Sequence, residues 1–261
     1  METHRSEWAD NDFPNNPLAF NKKSKLNLLA SKVSTEIGLL EKVGLVGGTG
    51  DLGTALAVHL AKVYESVFLG SRNKEKAEST LRELVSEKGD LVAKTVKAAT
   101  NDEVVQNCDI IIASVPYESA LETLKTLASG FRGNQILISA AAAVKKTENG
   151  EFKGSTDSKS LAMRMREFLP PSVKVACAFQ TIPANVLYRE RENTSFDVLV
   201  ASEDKETYSR VSALINSIRG LRALYVGSLE QSVELESLTS ILLNIAIKNK
   251  LRSPSFKVES F

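Results

Sequence analysis

The sequence predicts an α/β protein built on a doubly wound, mainly parallel sheet, with a smaller C-terminal α/β region. Three observations carry that expectation. From Lys42 onward, short apolar runs alternate with segments of helical periodicity, the pattern of repeated β-α-β units. The runs are apolar at successive positions instead of every second one, as strands covered by helices on both faces must be. The chain has 261 residues, 43% of them hydrophobic, enough for one large core or for a core with a smaller appendage.

Residues 1 to about 24 are polar, rich in asparagine and interrupted by Pro14 and Pro17. Such a segment buries too little to offset the entropy of ordering, and it reads as a tail. Leu28, Leu29, Val33, Ile37 and Leu40 then recur at roughly helical spacing, which predicts a short helix within residues 1–40 that leads into the domain or serves as a packing or dimerisation arm. Strands are expected at residues 43–46, 67–69, 110–115 and 136–139. Ala77, Leu81, Leu84 and Val85 mark a helix between them, as do Ala120, Leu124, Leu127 and Ala128, with Gly130 as a stop. A loop with Gly150 and Gly154 and a helix from about residue 158 to 168, ended by Pro170 and Pro171, complete a first domain over residues 41–171. The region 172–261 is expected to hold strands near 173–179, 196–201 and 222–226 and helices near 205–218 and 230–248.

Composition narrows the function. The formal net charge is +1, whereas phosphate-backbone binding rests on clustered lysine and arginine, so no nucleic-acid partner is expected. The sequence has no run of 18 apolar residues and no basic start followed by an apolar stretch, so neither a membrane span nor a secretory signal is expected. Cys108 and Cys177 stand far apart with no CxxC spacing, which fits buried thiols of a reducing cytoplasm and neither a metal site nor a disulfide.

The most informative segment is residues 42–53, Lys-Val-Gly-Leu-Val-Gly-Gly-Thr-Gly-Asp-Leu-Gly. It sets G-x-G-x-x-G at Gly48, Gly50 and Gly53, directly after an apolar strand and at the start of a helix. In a Rossmann-type domain the first glycine makes the tight turn, the second lets the backbone approach a pyrophosphate, and the third lets helix pack on strand. Amides at the helix start, with the helix dipole, then bind the diphosphate. A NAD-binding chain usually places a carboxylate at the end of the second strand for the ribose hydroxyls. Here residues 69–76 read Leu-Gly-Ser-Arg-Asn-Lys-Glu-Lys. Ser71 and Arg72, with Lys76 one helical turn on, suit a 2′-phosphate instead, so the expected cofactor is NADP(H).

The histidines are His4, in the tail, and His59, inside the first helix of the domain. No His-Asp or Ser-His pair and no marked lysine presents itself, so no catalytic residue and no metal ligand is assigned. Reduction of a ketone or imine usually wants a proton donor, whereas hydride exchange between two bound cofactors needs mainly alignment of two rings. The absence therefore leans toward a cofactor-to-cofactor reaction.

Several stretches together resemble the NADPH-dependent reductases of coenzyme F420, a deazaflavin. They are residues 47–53, 70–78 and 108–117 in the first domain, Thr181-Ile-Pro-Ala184 beyond it, and Leu235-Glu-Ser-Leu-Thr239 followed by Leu242-Leu-Asn244. The resemblance runs from about Lys42 to Asn249. It implies a cytoplasmic homodimer or higher homo-oligomer that passes hydride between NADP(H) and F420 in either direction. Carried over by position, it implies NADP contacts at Thr49, Leu52, Ser71, Arg72 and Lys76, a nucleotide cleft lined by Ser114, Val115 and Pro116, and a nicotinamide near Ser139 and Ala140. It implies deazaflavin contacts at Gln180 and Ile182. The chain departs from the family where Gln180 replaces the usual His or Asn, where residues 140–144 lack the usual proline, where Tyr225-Val-Gly-Ser228 replaces Asp-x-Gly-Pro, and where Val233 replaces a basic residue seen in some members. Two other readings stay open: an NADP-dependent reductase of a flavin that serves ferric iron, or of a small carbonyl or imine compound; and a non-enzymic NADP(H)-binding regulatory protein.

Overall fold

Strand β1 (Val43–Val46), helix α1 (Asp51–Leu60) and strand β2 (Val67–Ser71) form the first β-α-β unit. A computed structural model describes residues 41–154, 157–190 and 194–259; the expected tail and the helix within residues 1–40 lie outside them. The chain continues through α2 (Lys74–Lys88), α3 (Asp90–Thr95), β3 (Val96–Thr100), α4 (Asn101–Asn107), β4 (Ile110–Ala113), α5 (Tyr117–Leu127) and β5 (Ile136–Ser139). The helix starts follow side-chain chemistry. Asn73 caps α2 by accepting the Lys76 amide at 2.9 Å, and Thr100 and Glu103 form a reciprocal capping box on α4.

After β5 a short antiparallel hairpin of β6 (Val144–Lys146) and β7 (Phe152–Gly154) occupies the segment expected to be a loop. Helix α6 (Leu161–Phe168), strand β8 (Lys174–Cys177), helix α7 (Ala184–Tyr188), strand β9 (Phe196–Ser202), helix α8 (Lys205–Ser217), strand β10 (Leu221–Gly227) and helix α9 (Ser232–Asn249) follow.

One eight-stranded sheet runs in the order β10-β9-β8-β5-β4-β1-β2-β3. All neighbouring pairs are parallel except β8 with β9, where Cys177 faces Ala201 in an antiparallel register. The α/β, mainly parallel expectation therefore holds. The strands expected in region 172–261 hydrogen-bond into the same sheet as those before residue 171. Sheet order reverses direction between β1 and β4, and in such folds the crevice beyond the carboxyl ends of those two strands receives ligands.

Successive residues of β4 face opposite layers. Ile110 and Ile112 pack with Val43, Leu45, Leu56 and Leu60 on one side, and Ile111 and Ala113 with Val46, Leu124 and Met165 on the other. All are buried, and each large aliphatic side chain so placed contributes about 1.5–3 kcal/mol. This two-sided core fixes where the carboxyl ends of β1, β2 and β4 come together.

Candidate cofactor site

At that switch point lies a cavity of about 590 Å³. Its floor is the turn between β1 and α1. Gly47, one residue before the expected motif, adopts φ +71°, the left-handed region that a side chain rarely enters. A Cβ there would also stand 2.6 Å from Val115. The Gly48 amide donates to the carbonyl of Gly70 at 2.8 Å, tying the turn to the end of β2. A Cβ on Gly53 would come within 2.4 Å of the Gly48 carbonyl oxygen, so helix and turn touch where only glycine fits. Gly50 differs: the nearest atoms to its Cβ position are 3.7 and 4.0 Å away. Nothing among the described residues requires glycine there, and Gly50 lines the cavity. Gly50 caps α1 without a side-chain hydrogen bond, and Thr49, Gly50, Asp51 and Leu52 all line the cavity. First-turn amides of an uncapped helix favour an anion.

Ser71, Arg72, Asn73 and Lys76 form a second wall. Ser71 is buried at the end of β2, its hydroxyl accepting the Asn73 amide at 3.3 Å. Neighbouring Lys74 is engaged with Glu103 at 2.7 Å. Arg72 and Lys76 have no carboxylate partner among the described residues, so two free cations stand at one end of the cavity. The helix start they occupy would itself repel them in the absence of a bound anion.

Asn101, the first residue of α4, was not among the expected site residues, yet it lines the same cavity. It is 3% exposed, and its side-chain oxygen accepts the Gly47 amide at 3.1 Å. Its amide nitrogen has no partner among the described residues. The Thr100–Glu103 capping box is the sequence signal that marks this helix start. Opposite, Ser114, Val115 and Pro116 line the cavity just after β4, which ends at Ala113, two residues short of the expected strand. The Ser114 hydroxyl donates to the Val46 carbonyl at 3.1 Å and pins β4 to β1. Ala140, Ala141 and Ala142 close the far end with an apolar wall. Asp51, Arg72, Lys76 and Tyr117 are the titratable side chains on the walls.

The profile of a family described as NADP oxidoreductase, coenzyme F420-dependent, matches residues 42–143, which include every wall of this cavity. The chain is 33% identical over 222 residues to an F420-dependent NADP reductase of Methanothermobacter marburgensis, covering 83% of this chain and 97% of that protein. It is 30% identical to one from Methanothermobacter thermautotrophicus, over 84% and 95% of the two chains. This chain belongs to the F420-dependent NADP reductase family. A crystal structure from Arthrobacter sp. FB24, assigned to an F420-dependent NADP reductase, shares the fold with a TM-score of 0.71 at 17% identity, over 85% of this chain and 100% of that one.

Of the residues that the family resemblance places near the nicotinamide and the deazaflavin, Ala140 lines this cavity, whereas Ser139, Gln180 and Ile182 do not. Ser139 is fully buried at the end of β5, and its hydroxyl has no partner among the described residues. Gln180 is buried too: its amide nitrogen donates to the Ser139 carbonyl at 2.8 Å and contacts the Cys177 sulfur at 3.0 Å. It follows Phe179, a buried aromatic at φ +77°, a position that costs a bulky residue energy and persists only where its surroundings hold it. Ile182 is buried in the core with Ala178 and Leu187. Ser139 and Gln180 are thus bonded to one another next in sequence to the Ala140 wall, while Ile182 packs inward.

The α9 motif has a structural account. Glu236 accepts two amides of α6, the Thr239 hydroxyl donates to the Gln180 carbonyl at 2.7 Å, and the Asn244 side chain bonds both the amide and the carbonyl of Phe152. These side chains bolt α9 to α6, to the loop after β8 and to β7. His59 is buried against the Leu187 carbonyl at 2.9 Å. It borders a separate cavity of about 620 Å³ beside α1, α7 and the starts of β9 and β10, which holds the Lys62–Glu190 ion pair. Cys108 and Cys177 are free and buried, and burial pushes the Cys108 thiol up to about 12. Among the described residues no cluster of metal-ligating side chains occurs, and no helix is long and apolar enough to cross a membrane.

Proposed function

We propose that this chain transfers hydride reversibly between NADP(H) and coenzyme F420. Family membership over most of the chain supports the pair of cofactors. The single observation that carries the NADP half is the meeting, in one cavity, of a glycine turn, an uncapped helix start and the cations Arg72 and Lys76, which have no carboxylate partner among the described residues.

The residues fit the dinucleotide piece by piece. Thr49, Gly50 and Leu52 would hold the pyrophosphate through the start of α1, and Gly48 and Gly53 would shape the turn beneath it. Ser71, Arg72 and Lys76 would hold the 2′-phosphate, with Asn101 donating to the adenosine half. Ser114, Val115 and Pro116 would flank the nucleotide, and Ala140 would border the nicotinamide. Ser139 and Gln180 would set that wall from the side away from the cavity, with Ile182 packed in the core below. Bound NADPH supplies a hydride, which with one proton converts F420 to its dihydro form; the reverse step returns both. The protein's part is to fix alignment at an apolar wall that carries no histidine, cysteine or glutamate.

Helix α9 leaves Ile241 and Ile245, four residues apart, 50% and 38% exposed. Such a face supports the homodimer or larger homo-oligomer, in a cytoplasmic protein with small-molecule partners and no nucleic acid or membrane. The deciding experiment mixes purified protein, NADPH and F420 and follows loss of the deazaflavin's visible absorbance. NADPH deuterated at the transferred position should deliver its label to F420 without exchange with water. Oxidation of NADPH by a flavin or a small carbonyl compound and not by F420 would overturn the proposal.

A further inference from the structure

Glu236 has no part in the hydride step, yet it is 1% exposed and carries three hydrogen bonds that join separate segments. Its two carboxyl oxygens accept the amides of Leu161 and Ala162, at 2.8 and 3.0 Å, in the first turn of α6. Its backbone carbonyl accepts the Ala143 amide at 3.0 Å. One turn earlier, the Ser232 hydroxyl lies 2.5 Å from that of Ser160, the N-cap of α6. One residue of α9 therefore holds both the start of α6 and the end of the segment whose alanines wall the cavity.

We infer that Glu236 is a positioning residue: by gripping α6 with both carboxyl oxygens while ionised, it sets the residue 140–143 segment against which the reacting rings align. The inference rests on the proposed reading of the cavity. A carboxylate can accept both amides. A protonated carboxyl turns one oxygen into a donor that faces an amide hydrogen, and one of the two bonds is given up. Position then depends on the proton. The residue stands near the balance point: burial pushes its carboxyl up to about 7, against the pull of the Leu161 and Ala162 amides and of Arg164 on α6. Arg164 is itself paired with Asp157 at 2.6 Å. On β8 the Cys177 thiol feels the Glu236 charge and is held neutral by burial. The lysines of the hairpin packed on α9, Lys145, Lys146 and Lys153, are exposed.

The test is the pH dependence of KM for F420 beside the Kd of 2′,5′-ADP, which probes only the adenosine end. In the wild-type protein KM for F420 should rise roughly fivefold to tenfold, the effect of one hydrogen bond, as pH falls through about 7, while 2′,5′-ADP affinity stays level. Glu236→Gln offers one acceptor oxygen at every pH; it should show the raised KM throughout and lose the inflection. An inflection that persists in Glu236→Gln, or a KM that the substitution leaves alone, overturns the inference. Hydrogen exchange in the wild-type protein decides it without the variant: protection of the Ala143, Leu161 and Ala162 amides, corrected for intrinsic rates, should fall across the same window. Unchanged protection refutes it, and that result stands even if F420 proves not to be the acceptor.

Discussion

The Asn101 side-chain oxygen accepts the Gly47 amide at 3.1 Å, across 54 positions of sequence. That bond braces a turn whose φ of +71° is open to glycine, and it leaves the amide nitrogen of this buried, cavity-lining residue without a partner among the described residues. Asn101→Asp separates the two roles, because the carboxylate keeps the acceptor and the volume but removes the donor and adds a negative charge beside a phosphate site. NADPH should bind about 10- to 150-fold more weakly, the range for a lost hydrogen bond to a charged group. Calorimetry with a parallel thermal scan checks it. Unchanged affinity would remove Asn101 from the site.

Arg72 decides between cofactors. It stands where a ribose-binding carboxylate would otherwise be, without a carboxylate partner among the described residues, and the 2′-phosphate is what NADH lacks. Arg72→Ala should cost NADPH roughly 1.5–3 kcal/mol of binding and leave NADH nearly untouched. Equal dissociation constants for the two cofactors in the wild-type protein would sink the assignment.

The parts of the fold that were legible in the sequence are those with a one-dimensional signal. β1, β4 and β5 are wholly buried, so they read as unbroken apolar runs, and α2, α5 and α8 carry capping or spacing marks. β3 escaped because it is an edge strand of Val-Lys-Ala-Ala-Thr with little apolar contrast. With β3 went α4 and therefore Asn101. The antiparallel entry of β9 beside β8 is a matter of chain direction, which residue patterns do not encode. At the site, the glycine turn and Arg72 were readable because glycine geometry and charge are local. The inward placement of Gln180 and Ile182 depends on tertiary packing and on the positive φ of Phe179, to which no nearby glycine drew attention.

Two glycines of one motif should fail in different ways. Gly50 faces open space, so Gly50→Val should leave the melting temperature nearly unchanged and abolish binding of NADPH and NADH alike. Gly53→Ala would instead press a methyl to 2.4 Å from the Gly48 carbonyl, a backbone contact that cannot rotate away. It should destabilise the fold by about 1–3 kcal/mol, as overpacking does. Urea unfolding and cofactor titration on both variants separate the outcomes, and normal NADPH binding by a folded Gly50→Val protein would show that the loop is not the phosphate site.

Two buried groups give the stability of this protein opposite responses to acid. Burial holds His59 below its ordinary 6.5. As pH falls below 6.5 the unfolded chain takes up a proton that the folded state resists, so acidification costs stability. Glu236 works the other way: its folded value is about 7 against 4.5 for a free glutamate. Between those values the folded protein holds a proton that unfolding releases, so stability is present at the acid end and is lost as pH rises through the window. The gap corresponds to about 3 kcal/mol, or roughly 6–12 °C in melting temperature for a chain of this size. The wild-type protein should therefore melt higher at pH near 5.5 than near 8, by roughly 60% of that amount, because pH 5.5 still lies inside the window, less the His59 contribution. In Glu236→Gln the gain should vanish and leave the His59 slope, so the variant melts lower in acid; in His59→Gln the acid gain should grow. Scans of the three proteins at the two pH values are sufficient, and a Glu236→Gln protein that kept the wild-type acid gain would show that another buried acid is responsible.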